Sequence, residues 1–255
     1  MTVSVVLICK NEAEVIAGTI LAAQKVSTDI VALDSGSTDG TQDILQKLNV
    51  RVIHEAWQGF GPTKNKAIQS AQHDWILQID ADERIDDTLA AYISQTNPPD
   101  KLTVYNMRFR NYLGKTPLMH GEWGADKHIR LFNRQTVQWN DAEVHEELLL
   151  PPGTKMITPP GFIHHVTATS RQEMRRKMEY YAQLGAQKYR AQGKKFSVLR
   201  MLFSPVISFV VNYFFKLGFI DGYAGWAVAC ESARYTWLKY RYMKGGTRNA
   251  EAKYK

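Results

Sequence analysis

Over the first 82 residues, short apolar runs rich in β-branched residues alternate four times with segments of helical spacing. Few architectures accept that order. Val3 to Ile8, "VSVVLI", is a continuous apolar run, the pattern of a strand buried on both faces. In "NEAEVIAGTILAAQK", Val15, Ile16, Ile20 and Leu21 share a helical face, with Asn11 as the expected N-cap and Glu14 completing a capping box. A strand "DIVALD", the turn "SGSTDGT", a helix "QDILQKL" and a strand "VRVIHE" follow. A further helix in "WQGFGPTKNKAIQSA" leads to the strand "WILQI", Trp75 to Ile79. The expectation is an open α/β sheet of mostly parallel strands flanked by helices. Ligands of such sheets bind beyond the carboxyl ends of the strands, where Asp34, His54 and Asp80 fall.

The rest of the chain reads differently. "LTVYNMRFRNYLG" and "KHIRLFNR" are strands, with "GFIHHV" as another, and from Ser170 onward the pattern is helical. A boundary falls at Thr167 to Ser170, giving an α/β domain of residues 1–169 and a helical region of residues 170–255. With 255 residues and 44% hydrophobic content, the chain can build one sizeable core plus an appendage. Cys9 and Cys230 lie far apart in apolar surroundings, which fits a reducing compartment and no disulfide framework. The apolar run after Met1 has no basic residues before it and reads as a first strand rather than a signal peptide.

Charge is unevenly spread. Residues 171–255 hold 17 Lys and Arg against 5 Asp and Glu, whereas residues 1–170 hold 15 against 20. A basic C-terminal third points to a polyanion, either nucleic acid or an anionic membrane surface, against the plainer reading of a solvated helical face. Met201 to Phe215, "MLFSPVISFVVNYFF", is apolar and bounded by Arg200 and Lys216. It is shorter than the ~20 residues of a spanning helix. It fits an interfacial or re-entrant helix, or else a helix packed on the core or in a dimer.

Several chemistries lack their signatures. No GxGxxG follows the first strand, no GxxxxGK[ST] or GxSxG occurs, and no Cys/His spacing suits zinc. What stands out is the acidic cluster ending "WILQIDADERI". Residues i and i+2 of a strand share a face, so Asp80 and Asp82 would together suit a hard divalent cation that keeps positions open for phosphate oxygens. The alternative is an acidic turn before a helix, with Glu83 and Asp86 complementing its dipole.

"VSVVLICKNE", "IVALDSGSTDGT", "WQGFGPTKNKA" and "WILQIDADE" resemble, in order and spacing, the nucleotide-sugar half of family 2 inverting glycosyltransferases. "WGADKHIRLFNR", "VHEEL" and "HHVTATS" are similar to a subgroup that builds the inner core of lipopolysaccharide. The resemblance implies a GT-A fold, with a nucleotide-sugar half at about 1–95 and an acceptor half at about 96–169. It implies metal-dependent transfer of a hexose, glucose in the subgroup, from a UDP-sugar to an inner-core heptose. That work would take place at the cytoplasmic face of the inner membrane, on a peripheral protein. It places Asp34 at the uracil, although the second acid common there is Ser35 in this chain. Lys64 and Asn65 would face the nucleotide and Asp80 the ribose or metal. Asp82, with His165, would bind Mg²⁺ or Mn²⁺. For the base, Glu146 is first and Asp126 second, with Asp141, Glu143 and Glu147 also in range. His145 would bind substrate, and Trp123 and Trp139 are candidate sugar platforms. A polyprenyl-linked or other polysaccharide acceptor, or a silent membrane scaffold, stands as the alternative. A nucleic-acid module would leave Asp34, Asp80 and Asp82 without a role.

Overall fold

The computed structural model describes residues 1–140 and 146–245. The chain runs β1 (Val3–Cys9), α1 (Ile16–Ala23), β2 (Ile30–Asp34), α2 (Thr41–Lys47), β3 (Arg51–His54), α3 (Phe60–Gln69) and β4 (Trp75–Gln78). Next come β5 (Glu83–Ile85), α4 (Asp87–Gln95), β6 (Thr103–Leu113), β7 (Thr116–Pro117), α5 (Gly121–Gly124), β8 (Lys127–Asn133) and β9 (Gln138–Trp139). It ends with β10 (Leu148–Leu149), β11 (Lys155–Ile157), β12 (Ile163–Ala168), α6 (Arg171–Ala191), α7 (Val198–Val210) and α8 (Gly222–Gly245). A π-helical turn, Val211–Phe215, and a 3₁₀ turn, Gly218–Asp221, lie between the last two helices.

The main sheet has the order β3-β2-β1-β4-β8-β6-β12-β5. β1, β2, β3 and β4 pair in parallel, and β8 joins β4 and β6 antiparallel, so the sheet is mixed. This is the GT-A-like α/β class, with helices flanking the sheet. Both faces of β1 are buried, as its unbroken apolar run requires. Val5 and Leu7 pack with Ile16, Ile20 and Leu77, while Val6 packs with Leu33, Ile76 and Phe132. From β1 the chain builds outward through β2 to β3, then returns to place β4 on the other side of β1. Strand order reverses there, and ligands of open α/β sheets bind beyond the carboxyl ends of the strands at such a point.

One local expectation fails. Asn11 does not cap α1, which starts at Ile16 without a side-chain cap. Asn11 takes a left-handed φ of 58°. Its side chain accepts from the Thr38 N–H at 2.8 Å, and its own N–H donates to Ser37 Oγ at 2.9 Å. It therefore ties the loop after β1 to the loop after β2, using the left-handed tolerance of asparagine.

The chain divides into two compact units, Met1–Phe109 with Lys127–His165, and Arg110–Asp126 with Val166–Lys255. The expected single cut at 169/170 misses that residues 110–126 go with the C-terminal part. Non-local hydrogen bonds inside the second unit are the reason. Asp221 accepts from the Met119 and His120 N–H groups at 2.8 Å each and meets His120 Nδ1 at 2.8 Å. Glu122 accepts from Asn212 at 3.3 Å and from Ser232 at 3.2 Å. Leu113, Leu118 and Met174 pack with Ala224, Ala227 and Val228 beneath them. The approach is close at Gly225, where a β-carbon would lie 1.9 Å from the Gly218 carbonyl oxygen.

Candidate functional site

The first unit gathers its charged side chains beyond β4. The strand ends at Gln78, and a turn from Asp80 leads into β5 at Glu83. The Glu83 N–H donates to the Asp80 carbonyl at 3.0 Å, and the Asp80 N–H donates to Glu83 Oε2 at 3.1 Å. Thr19 of α1 pins the turn by donating to the Ala81 carbonyl at 2.7 Å. The same-face expectation for Asp80 and Asp82 presumed extended backbone, so it does not carry past Gln78. Each acid instead has its own partner.

Asp80 meets Arg130, Nη2 to Oδ2, at 3.0 Å, and lies 4.0 Å from the Lys64 ammonium. Arg130, on β8, is buried, donates also to Glu83 and lies over the Phe109 ring at 5.3 Å. Burial alone would raise Asp80, but Arg130 and then Lys64 hold its carboxyl well below the usual carboxylate range. Burial raises Glu83, Arg130 pulls it back and Asp80 raises it again, leaving it at about 7. Asp82 faces β12, where His165 Nε2 stands 3.3 Å from its Oδ2. The antiparallel register of β12 on β5, which sets His165 opposite Glu83, brings the imidazole there. Burial favours neutral imidazole, but the hydrogen bond to Asp82 and the charges of Asp82, Glu83 and Asp80 outweigh it, and the pKa of His165 is raised.

Lys64 of α3 is the second buried cation. Its ammonium sits 2.6 Å from Glu146 and 4.5 Å from the Trp139 ring centre. Asn65 secures this geometry by bracketing the Trp139 main chain, donating to its carbonyl at 2.9 Å and accepting from its N–H at 3.0 Å. Trp139 Nε1 in turn donates to Gln78 at 2.5 Å. Glu146, 82 residues beyond Lys64, thus joins the cluster that begins with Asp80.

Three expected contacts take other roles. Asp34 is fully buried, and its carboxylate accepts from the Gly36 N–H (3.1 Å), the Ser37 N–H (3.0 Å), the Gln42 amide (2.6 Å) and the Ser37 hydroxyl. Burial opposes its charge, yet these donors lower its pKa, and its carboxylate holds together the turn after β2. The neighbouring Ser35 hydroxyl is buried with no partner among the described residues. Asn65, expected at the nucleotide, spends its side-chain amide on the Trp139 main chain, and Trp139, expected as a sugar platform, is buried in the core. Trp123 and Asp126 belong to the second unit, where Trp123 packs on its apolar cluster and Asp126 accepts from Asn111 at 3.3 Å. His145, Asp141 and Glu143 lie outside the described residues. Arg130 was not anticipated. Its only signal is one arginine in an otherwise apolar part of β8, in a run from Arg130 to Asn133 that is buried throughout.

Among the described residues, no three His, Cys, Asp or Glu side chains converge as a closed metal cage. Asp82 and His165 supply two adjacent donors, which fits a cation completed by phosphate oxygens and water.

Residues 4–144 match the family described as Glycosyl transferase family 2. The lipopolysaccharide core biosynthesis glycosyltransferase LpsC of Rhizobium meliloti is 28% identical over 93% of this chain and 90% of its own length. An uncharacterized glycosyltransferase of Rickettsia typhi, RT0209, is 26% identical over 88% of this chain and 80% of its own. Among solved structures, S. aureus TarS 1–349 in complex with UDP covers 97% of this chain and 93% of its own at 12% identity, with a TM-score of 0.44.

Proposed function

The chain belongs to glycosyl transferase family 2, and from that premise we propose that it moves a hexose, glucose by its subgroup resemblance, from a UDP-sugar to an inner-core heptose of lipopolysaccharide. The observation that carries this reading is the cluster in which Lys64 stands 2.6 Å from Glu146 and 4.0 Å from Asp80. It unites a buried cation, the acidic turn after β4 and a carboxylate from the acceptor half. LpsC, whose name specifies lipopolysaccharide core biosynthesis, supports the acceptor class. On this reading the transfer would take place at the cytoplasmic face of the inner membrane.

In the proposed transfer, the acceptor oxygen attacks the anomeric carbon from the side opposite the diphosphate. The bond from that carbon to the phosphate oxygen breaks, and UDP leaves with the electron pair. Glu146 takes the acceptor proton as the new bond forms. Lys64 and Arg130 set positive charge where the departing diphosphate gains negative charge. Asp82 and His165 would hold Mg²⁺ or Mn²⁺, which when bound supplies Lewis-acid stabilisation to the same oxygens.

The test is UDP release from a panel of UDP-sugars, with Mn²⁺ or Mg²⁺ against EDTA, in the presence and absence of heptose-bearing lipopolysaccharide core stripped of outer sugars. Metal-dependent release from UDP-glucose, raised by that acceptor, is the expected result. Release with a different donor moves the substrate and keeps the mechanism. Folded protein that releases nothing from any donor turns the reading toward a silent scaffold.

A further inference from the structure

The second unit leaves a continuous apolar surface uncovered. On α7, Leu199, Leu202, Phe203, Val206 and Ile207 repeat at helical spacing and face solvent, with Leu199 68% exposed. The other side of the helix packs on α8. Exposed apolar residues follow in the turns after it, where Phe215 is 79% exposed, and include Phe219, Ile220 and Tyr223 at the start of α8. Isolated exposed apolar residues are ordinary, but a contiguous patch of this kind marks a docking face.

Charge identifies the occupant. Between Tyr180 and Cys230 the chain has six Lys and Arg residues, all exposed. The one acid in that stretch, Asp221, has a buried side chain committed to the Met119 and His120 N–H groups. A second copy of the chain would bring like charges together around the apolar faces. A bilayer with anionic headgroups complements both the apolar face and its basic border.

The way it sits also follows. Val198–Phe215 has 18 residues and the composition of a membrane span. That is ~27 Å of helix against a hydrocarbon core of ~30 Å. Yet one side of α7 is covered by α8, and Asn212 at its end is bonded to the carboxylate of Glu122. Carrying that carboxylate into hydrocarbon is costly. We propose that α7 and the two turns after it lie in one leaflet of an anionic bilayer, apolar face in the acyl boundary, with Lys194, Lys195, Arg200 and Lys216 at the headgroups. This deepens the reading of a lipid-linked acceptor and rests on it for its purpose. The binding itself is measured without donor or acceptor, so failure of transfer and failure of docking are told apart.

The experiment is co-sedimentation of the full chain with vesicles of phosphatidylcholine, with and without about a third phosphatidylglycerol. Wild type is expected to partition at least ~10-fold more strongly to the anionic vesicles. Phe203→Glu with Ile207→Glu and Phe215→Glu is expected to lose that binding with an unchanged thermal melt. Lys194→Glu with Lys195→Glu and Arg200→Glu alters only exposed groups and is expected to lose the preference for anionic lipid. Equal binding to both vesicles, or none by folded wild type, overturns the proposal. So does a dimer that is abolished by the apolar variant and indifferent to vesicles, which assigns the face to a second copy. Protein that resists extraction by alkaline carbonate overturns the one-leaflet arrangement in favour of a spanning helix.

Discussion

Arg130 sets the terms on which the acidic turn can exist before any ligand arrives. It is a buried cation between two acids, and removing one member of such a set leaves charge uncompensated. Arg130→Met is expected to lower stability by roughly 3 kcal/mol, read as a shifted urea midpoint with unchanged m-value. Glu83→Gln in the same chain should return part of that loss. At Asp82 the expectation concerns binding. Asp82→Asn should weaken metal-dependent UDP-sugar binding by at least ~10-fold while the melt stays in place, and unchanged affinity by calorimetry removes the metal role. The sequence announced the acids but not their partners. Asp80 and Asp82 are adjacent to a readable strand, whereas Arg130 approaches from 50 residues away through an antiparallel pairing that no local pattern encodes. Asp34, by contrast, is held by four donors from its own turn and the start of α2, all within eight residues of it.

Secondary-structure elements were easiest to read where burial imposes a period. β1 to β4 and their helices follow from apolar runs and helical spacing, since both sheet faces must be covered. Caps were harder, because a capping residue can be taken by a neighbouring loop, as Asn11 is. Asp86 does cap α4, accepting from the Leu89 N–H at 2.7 Å and from the Phe162 N–H at 2.9 Å. Gly161 lies against this cap with φ of 85°, and a β-carbon there would come within 2.5 Å of Asp86 Oδ1 and of the Leu89 nitrogen. Gly161→Ala is therefore expected to cost more than ~1 kcal/mol in chemical denaturation. In the second unit, Ser170 caps α6 by accepting from Glu173 N at 3.2 Å, and Ser170→Ala should cost about 1 kcal/mol. Burial opposes the charge of Glu173, but the Thr169 hydroxyl and N–H and Lys177 lower its pKa to about 2. A depressed carboxyl contributes stability above its unfolded value near 4.5 and loses it as pH falls toward 2. A titration of the Glu173 carboxyl by NMR should show its midpoint in that lower range.

At the scale of the molecule, the basic third was visible as composition, and its apolar helix as a segment too short to span comfortably. That residues 110–126 join it was not visible. The tie is Asp221 meeting His120 across 101 positions, and sequence spacing has no expression for such a contact. The charge of residues 171–255 predicts that attachment to anionic vesicles weakens steeply between low and physiological salt, a dependence absent for uncharged vesicles. The pair formed by Lys64 and Glu146 carries a kinetic consequence. A carboxylate 2.6 Å from an ammonium is engaged, and a diphosphate arriving beside Lys64 competes for that ammonium. On the proposed mechanism, Glu146 would thereby be released to receive a proton only once the donor is in place. Initial-rate kinetics should then follow a compulsory order, donor before acceptor, with UDP competing against the nucleotide sugar but not against the acceptor. A donor that arrives alone would meet a site with its base freed and no hydroxyl but water, so slow hydrolysis of the sugar nucleotide is the side reaction this order leaves open.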